Sequence, residues 1–216
     1  MGQEPYERGG NAGAWTFIIC KDMYRVYLLL GSNMGDRQAM LDAANLELID
    51  ALLPDYLEVA ALGDAVNTSA VMETEPWGFD TPVEPFLNQS FCCLTELEPH
   101  QVLEQCQRIE TELGRERIGA QFDAQGKRIY RSRVIDIDIL AVERETAGGW
   151  ESVEVATADL TVPHPQLQSR DFARKLYEEL RGAGKGADKR EKGAGKDMKP
   201  AGKGTDKSVG KKKFKK

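Results

Sequence analysis

Read for its pattern of apolar and polar positions, the chain first organises itself at "YRVYLLL", Tyr24 to Leu30, a run that predicts a strand. "GSNMGD" follows, and its Gly and Asn suit a tight turn. Met40, Leu41, Ala44, Leu48, Ile49 and Leu52 then recur at helical spacing, which predicts a helix over about 37–53, capped by Asp36 and stopped by Pro54. Two strand-like stretches come next, near 57–73 and 86–96, with a loop rich in Pro, Trp and Gly between them. A second helix starts at Pro99. Its apolar stripe is Val102, Leu103, Cys106, Ile109 and Leu113, and Gly114 is placed to end it. A polar segment, 115–132, is long for a connection without a task, and a closing lid is one such task.

After it comes "RVIDIDIL", residues 133–140. Strand side chains alternate, so Ile135, Ile137 and Ile139 point one way while Val134, Asp136, Asp138 and Leu140 point the other. The order strand, helix, strand, strand, helix, strand predicts an α+β ferredoxin-like sandwich, an antiparallel sheet with both helices on one face. "TVPHPQLQSRDFARKLYEEL" adds a loop and a short C-terminal helix. Three regions follow from the pattern: an extension over 1–22, a folded domain over 23–180, and a Gly/Lys-rich tail over 181–216 that cannot form a core.

Two carboxylates roughly 6–7 Å apart on one face of a strand repel each other at neutral pH, and burying them unpaired is costly. Oxygen ligands on a rigid element suit magnesium, which takes one or two protein carboxylates and completes its shell with water and phosphate. A solvated edge strand with alternating Asp is equally compatible with the pattern alone.

Charge sharpens the division into body and tail. The formal net charge is −6, yet about 14 Lys/Arg stand against 4 Asp/Glu from Arg181 onward, leaving an acidic body and a basic tail. With 41% hydrophobic and 30% charged residues, the composition is that of a soluble globular protein, and no apolar run reaches the roughly 18 residues of a membrane span. "AWTFIIC" is too short and lacks the basic flank of a signal peptide, so a cytoplasmic protein is expected. Cys20, Cys92, Cys93 and Cys106 have no ligand spacing for zinc and read as free thiols.

No GxxxxGK[ST] motif occurs, so any nucleotide is held without an ordinary P-loop. Arginines instead crowd the aspartate strand: Arg115 and Arg117 after the second helix, Arg131 and Arg133 before the strand, Arg170 beyond the proline-rich loop. Planar guanidinium groups grip phosphate oxygens in pairs, and arginines beside magnesium carboxylates make up a phosphate-transfer site. Each alone reads more often as a surface residue, and it is the cluster that points to a site. His164, fixed between prolines, suits a phosphate or adenine contact, with a structural histidine as the alternative. "PWGFDTPVEPFLNQS" brings Trp77, Phe79, Phe86 and Asn88, either core aromatics with a loop or a slot that stacks a ring and reads its edge.

Taken together, "LLLGSNMGD", "EPFLNQS", "ELGRER", "RSRVIDIDIL" and "LTVPHPQLQSRDF" resemble the 6-hydroxymethyl-7,8-dihydropterin pyrophosphokinases of folate synthesis, over roughly residues 23–180 and in the right order. The resemblance implies a ferredoxin-like fold and transfer of pyrophosphate from ATP to the pterin hydroxymethyl group, with release of AMP. It implies that Asp136 and Asp138 hold two magnesium ions and that Arg115 and Arg133 stabilise charge on the transferring group. Arg117, Tyr130, Arg133, His164 and Arg170 are then the ATP-binding positions. Gly31, Thr74, Trp77, Phe86, Asn88, Asp136 and Phe172 form the pterin side, with Asn88 on the ring edge and Phe86 and Phe172 as the sandwich, while Asn33 shapes the first turn. Departures from the family pattern are Tyr130 for a common Trp, Pro165 for an aromatic residue, Glu75 for a proline and Trp77 for a Leu, together with the basic tail in place of a closing segment.

A metal-dependent nuclease or nucleotidyltransferase also pairs aspartates with arginines, but leaves the aromatic slot without a purpose. A nonenzymatic binding module with a nucleic-acid-binding tail is the third reading; lysine repeats attract phosphates without sequence preference, yet Phe214 alone accompanies them there as a stacking ring. The expected partners are therefore ATP and the pterin, with no membrane, no more than weak nucleic-acid contact through the tail, and a monomeric state.

Overall fold

The computed structural model describes residues 22–53, 65–116, 119, 121, 122 and 124–191, with backbone alone for 128 and 183–191. The N-terminal extension over 1–21 with its Cys20, the helix stop at Pro54, Arg117, and the tail beyond 191 lie outside the described residues.

Strand β1 (Tyr24–Ser32) is the centre of a six-stranded antiparallel sheet. On one side it pairs with β4 (Phe86–Thr95), which in turn carries β2 (Val66–Thr68) and β3 (Met72–Thr74). On the other it pairs with β7 (Asp136–Thr146), which is extended by β8 (Gly149–Ser152). The two helices α1 (Arg37–Leu52) and α2 (Pro99–Glu112) pack together over one face, as a ferredoxin-like sandwich requires. Asp36 accepts the Ala39 amide at 3.0 Å and so caps α1, satisfying one of the amides that a helix start leaves unpaired. Between the helices and the sheet, Val26, Leu28, Leu30, Phe91, Ile135, Ile137, Ile139, Leu41, Leu48, Val102 and Ile109 build the main core.

The opposite face has its own cover. Tyr27, Leu29, Cys92, Leu140 and Ala141 lie on it and pack against Leu176 and Leu180 of α3 (Asp171–Glu191). Leu140 and Ala141 share this face because a register shift opposite Tyr27 and Leu28 inserts one residue into β7, which also returns Glu143 to the same side. There Glu143 accepts from Tyr27 Oη at 3.2 Å and Arg25 Nη1 at 3.3 Å, and Arg181 of α3 stands 3.5 Å away.

Several expectations shift. Residues 57–73 do not form one strand: 54–64 lie outside the described residues, and the remainder is β2 and β3, parted where Ser69 bonds Ser90 through both main chain and hydroxyl. The aspartate strand begins at Asp136 rather than 133, because Arg133 N donates to Asn33 Oδ1 at 2.7 Å and its carbonyl accepts the Asn33 amide at 3.1 Å. The 115–132 connection contains a two-stranded ribbon, β5 (Gln121–Phe122) with β6 (Arg128–Ile129). A second small pair, β9 (Val155–Ala156) with β10 (Thr161–Val162), precedes the C-terminal helix. That helix is not short: it passes Leu180 and runs to Glu191, propagating from a packed segment that has already nucleated it despite the poor helix formers Gly182, Gly184 and Gly186. Among the described residues no helix is long and apolar enough to cross a membrane.

Candidate active site

The row Asn88, Gly31, Asp136 runs across three adjacent strands, and Ser90, Leu29, Asp138 is the next row on the same face. Alternation thus brings both aspartates to the face that α3 covers, at the end where the helix begins. A cavity of about 560 Å³ opens there. Gly31, Thr74, Trp77, Phe86, Asn88, Tyr130, Arg133, Asp136, Asp138, His164, Arg170 and Phe172 all line it, so separate stretches of sequence converge on one space. Arg115 stands behind this wall, touching Asp136, and Arg117 lies outside the described residues.

The two carboxylates differ. Asp136 is bracketed by guanidinium groups, with Arg115 Nη1 at 2.6 Å from Oδ1 and Arg133 Nη1 on Oδ2. The Asp138 carboxylate has no hydrogen bond or ion pair among the described residues. Burial, and then the neighbouring charge of Asp136, push its carboxyl up to about 7 against the pull of Arg133. A half-buried carboxylate without a donor, beside a second carboxylate, is a set of hard oxygen donors that fits a divalent cation better than it fits an arginine.

On the side formed by β3 and β4, Asn88 Nδ2 donates to Thr74 Oγ1 at 2.9 Å, which turns Oδ1 towards Gly31. A Cβ on Gly31 would lie 3.3 Å from that oxygen, so glycine here makes room for the amide. Phe86 and Phe79 approach at 6.2 Å, Phe79 and Tyr130 at 6.3 Å, and Tyr130 meets Trp77 edge-on at 5.6 Å. Gly78 has φ +84°, and a Cβ there would fall 2.8 Å from the Tyr130 ring, so this glycine is required by both conformation and contact. Lys127 pairs with Asp80, fastening the ribbon connection to the aromatic loop. Arg170 spans Trp77 and Phe172, 5.6 and 5.9 Å from their ring centres.

His164 is held by its own amide, which donates to Leu140 O at 2.8 Å, while its Nδ1 accepts from Gln166 N at 3.2 Å. That bond assigns the proton of the neutral ring to Nε2. Burial and then Arg170 hold its pKa below the usual value, opposed by Asp136. The thiols are no nucleophiles: Cys92, Cys93 and Cys106 are buried and free, and burial pushes all three up, Cys92 to about 12.

Asn33 does more than shape a turn. Besides Arg133 it donates to Ser132 Oγ at 3.0 Å and to Glu84 O at 3.2 Å, joining three loops beside Arg133, which lines the cavity. Gln166 and Ser169 also line the cavity and were not expected from sequence, because polar residues in a proline-rich loop carry no periodic signal. Glu110 was missed as well. It falls at helical spacing on the α2 stripe, four residues after Cys106, and a charge on a buried stripe was the available sign.

The fold and the cavity define a ferredoxin-like α+β protein whose cavity lies on the sheet face under its third helix, where paired carboxylates, guanidinium groups and aromatic rings meet. A profile of the 7,8-dihydro-6-hydroxymethylpterin-pyrophosphokinase (HPPK) family matches residues 27–181, and the chain belongs to that family. Relatives named 2-amino-4-hydroxy-6-hydroxymethyldihydropteridine pyrophosphokinase include one from Porphyromonas gingivalis, 41% identical over 151 residues, covering 69% of this chain and 85% of its own length. Another, from Methylorubrum extorquens, is 40% identical over 150 residues, 69% of this chain and 78% of its own. A third, from Bacillus subtilis, is 34% identical over 146 residues, 68% and 71% respectively.

Proposed function

We propose that this chain transfers pyrophosphate from ATP to the hydroxymethyl group of 6-hydroxymethyl-7,8-dihydropterin, giving AMP and the pterin diphosphate. The observation that carries the reading is the opening of Asp136 and Asp138 into the same cavity as Asn88, Phe86 and Phe172. One part suits a polyanion, the other a flat heterocycle with a hydrogen-bonding edge. Family membership supports the same assignment.

In the reaction the hydroxymethyl oxygen bonds to the β-phosphorus, the bond from that phosphorus to the α,β-bridging oxygen breaks, AMP leaves and the hydroxyl proton is released. Asp136 and Asp138 are the residues that would hold magnesium, which would neutralise triphosphate charge and polarise its oxygens. The chain's own part is placement. With Nδ2 committed to Thr74, Asn88 presents Oδ1 as an acceptor for ring N–H groups, and Phe86 and Phe172 confine the ring. His164 offers Nε2–H to a phosphate oxygen, and Arg170 adds a guanidinium at the same wall. Arg115 and Arg133 supply positive charge where negative charge is redistributed during transfer. A covalent nucleophile is unnecessary, because in-line attack needs the two substrates oriented and desolvated.

The test is to incubate the full chain with magnesium, ATP and the hydroxymethyl dihydropterin and to separate the products by chromatography. AMP and pterin diphosphate are expected in equal amounts, and neither without pterin. Formation of AMP that ignores the pterin would instead favour the nucleotidyltransferase or nuclease reading.

A further inference from the structure

We infer that Glu110 is a positioning residue for the transfer reaction, acting through Arg115; this rests on the activity proposed above. Glu110 sits near the end of α2 and is 2% exposed, although nothing in the main core needs a carboxylate. Burying that charge is unfavourable unless donors surround it. Its Oε1 accepts the Ile137 amide at 2.7 Å and also takes the guanidinium of Arg115. Ile137 is the residue between the two aspartates, so a single oxygen ties the aspartate strand to the arginine that faces it.

The backbone repeats the connection. Gly114 at φ +94° lets the chain double back after α2, so that Gly114 N donates to Thr111 O at 3.0 Å and Arg115 N to Glu110 O at 2.8 Å. Arg115 is therefore held to Glu110 twice, by main chain and by side chain. Its Nη1 also reaches Asp136 Oδ1 at 2.6 Å. Among the described residues the guanidinium of Arg133 has Asp136 as its only carboxylate partner, whereas Arg115 has two. When ligand binding claims the carboxylate of Asp136, Arg133 is released but Arg115 keeps an anchor. Glu110 thus fixes where one positive charge stands during transfer without touching either substrate. The same anchor limits the guanidinium's rotation, which lowers the entropy lost when phosphate oxygens are gripped.

Glu110→Gln preserves the side-chain volume and an acceptor for Ile137 while removing the charge that grips Arg115. In the full chain, kcat for AMP formation is expected to fall by about tenfold to a hundredfold, the range seen when outer partners of reactive groups are removed, with both KM values within about threefold. In an Arg115→Ala background the same change should cost less than about threefold, because the route to the reaction is already cut. Guanidinium resonances give a readout independent of turnover: restricted rotation of the Arg115 Nη protons in the parent chain should be lost in E110Q. If E110Q does not hold its fold by circular dichroism, Glu110→Asp, which keeps the charge but shortens its reach, carries the same cycle. A folded variant with the parent kcat, losses that multiply across the cycle, or an unchanged Arg115 resonance would overturn the inference. Loss of the resonance in a chain that makes no AMP would uphold the anchor and refute the proposed activity instead.

Discussion

Replacing Asp138 by Asn should stabilise the ligand-free protein while abolishing its turnover. The side chain keeps its volume and loses a charge that the fold holds at a cost. A carboxyl moved from its ordinary 3.8 to about 7 corresponds to ~4 kcal/mol, at 1.36 kcal/mol per pH unit. Part of that is offset, because Asp138 keeps part of its surface open to the cavity, where solvent screens its charge, so about 2 kcal/mol is the working figure. The sign follows from proton binding. The native state retains the proton to higher pH than the unfolded chain does, so stability falls as pH rises from about 4 to 7, and the full cost is present above that. Asn has no such dependence.

Thermal unfolding of both proteins without ligand, at steps from pH 5 to pH 8, measures the difference. At pH 8 the variant should melt higher by about 4–8 °C for a chain of this size, and the gap should close towards pH 5. Magnesium with ATP should raise the parent's melting temperature and leave that of D138N nearly unmoved. AMP formation should fall at least about a hundredfold. A variant that melts below the parent at pH 8, or a gap that does not change with pH, would refute the idea that Asp138 is held against its own charge.

Gly31→Ala should raise KM for the pterin by about tenfold with little effect on KM for ATP, since the new methyl lies 3.3 Å from the Asn88 amide oxygen and 3.7 Å from the Phe86 ring; equal changes in both constants would show that Asn88 is not where the two substrates are distinguished. Gly78→Ala forces a left-handed backbone conformation, costing ~1–2 kcal/mol locally, and pushes on Tyr130, so the melting temperature should fall by a few degrees and fluorescence of the exposed Trp77 should shift; an unchanged spectrum would count against that contact. Ending the chain after Glu191 should preserve turnover and melting temperature, whereas ending it after Leu180 removes Arg181 from Glu143 and should lower the melting temperature by a few degrees. Identical melting of the two truncations would mean that the Arg181 contact carries no stability.

Much of this was legible because it rests on local rules. The spacing of Leu41, Ala44 and Leu48 predicts a helix face, and those residues are buried. Alternation in "VIDIDIL" put Ile137 and Ile139 into the main core and both aspartates on the other face. The resemblance, rather than periodicity, chose Gly31, Thr74 and Phe172, and the fold brings them to the cavity. What could not be read is what depends on long-range pairing. Asn33 takes Arg133 out of the strand from 100 residues away, and no window along the sequence contains that bond. The extra residue in β7 is equally silent, since its effect is to reverse which face Glu143 joins. The α3 boundary was misplaced because a Gly/Lys-rich composition argues against an independent core, while a helix already packed through Leu176 needs none to continue.

The position of the aspartates follows from the conflict between their two requirements. They must be rigid, which a central strand provides, and they must stay open to ligand, which a sheet covered on both faces would forbid. The chain meets both by covering the second face unevenly. Leu167, Ala173, Leu176 and Leu180 close it over Tyr27, Leu140 and Ala141, while the end that bears Asp136 and Asp138 is left beneath the start of α3. The same helix then supplies Phe172 to the cavity wall, two residues after Arg170. Its middle is held to the sheet by Tyr177 against Tyr27, whose ring centres are 5.0 Å apart, and by Arg181 beside Glu143. Packing along the first half of α3 thus sets where Arg170 and Phe172 stand at its start, so stability in this second layer and geometry in the site depend on the same helix.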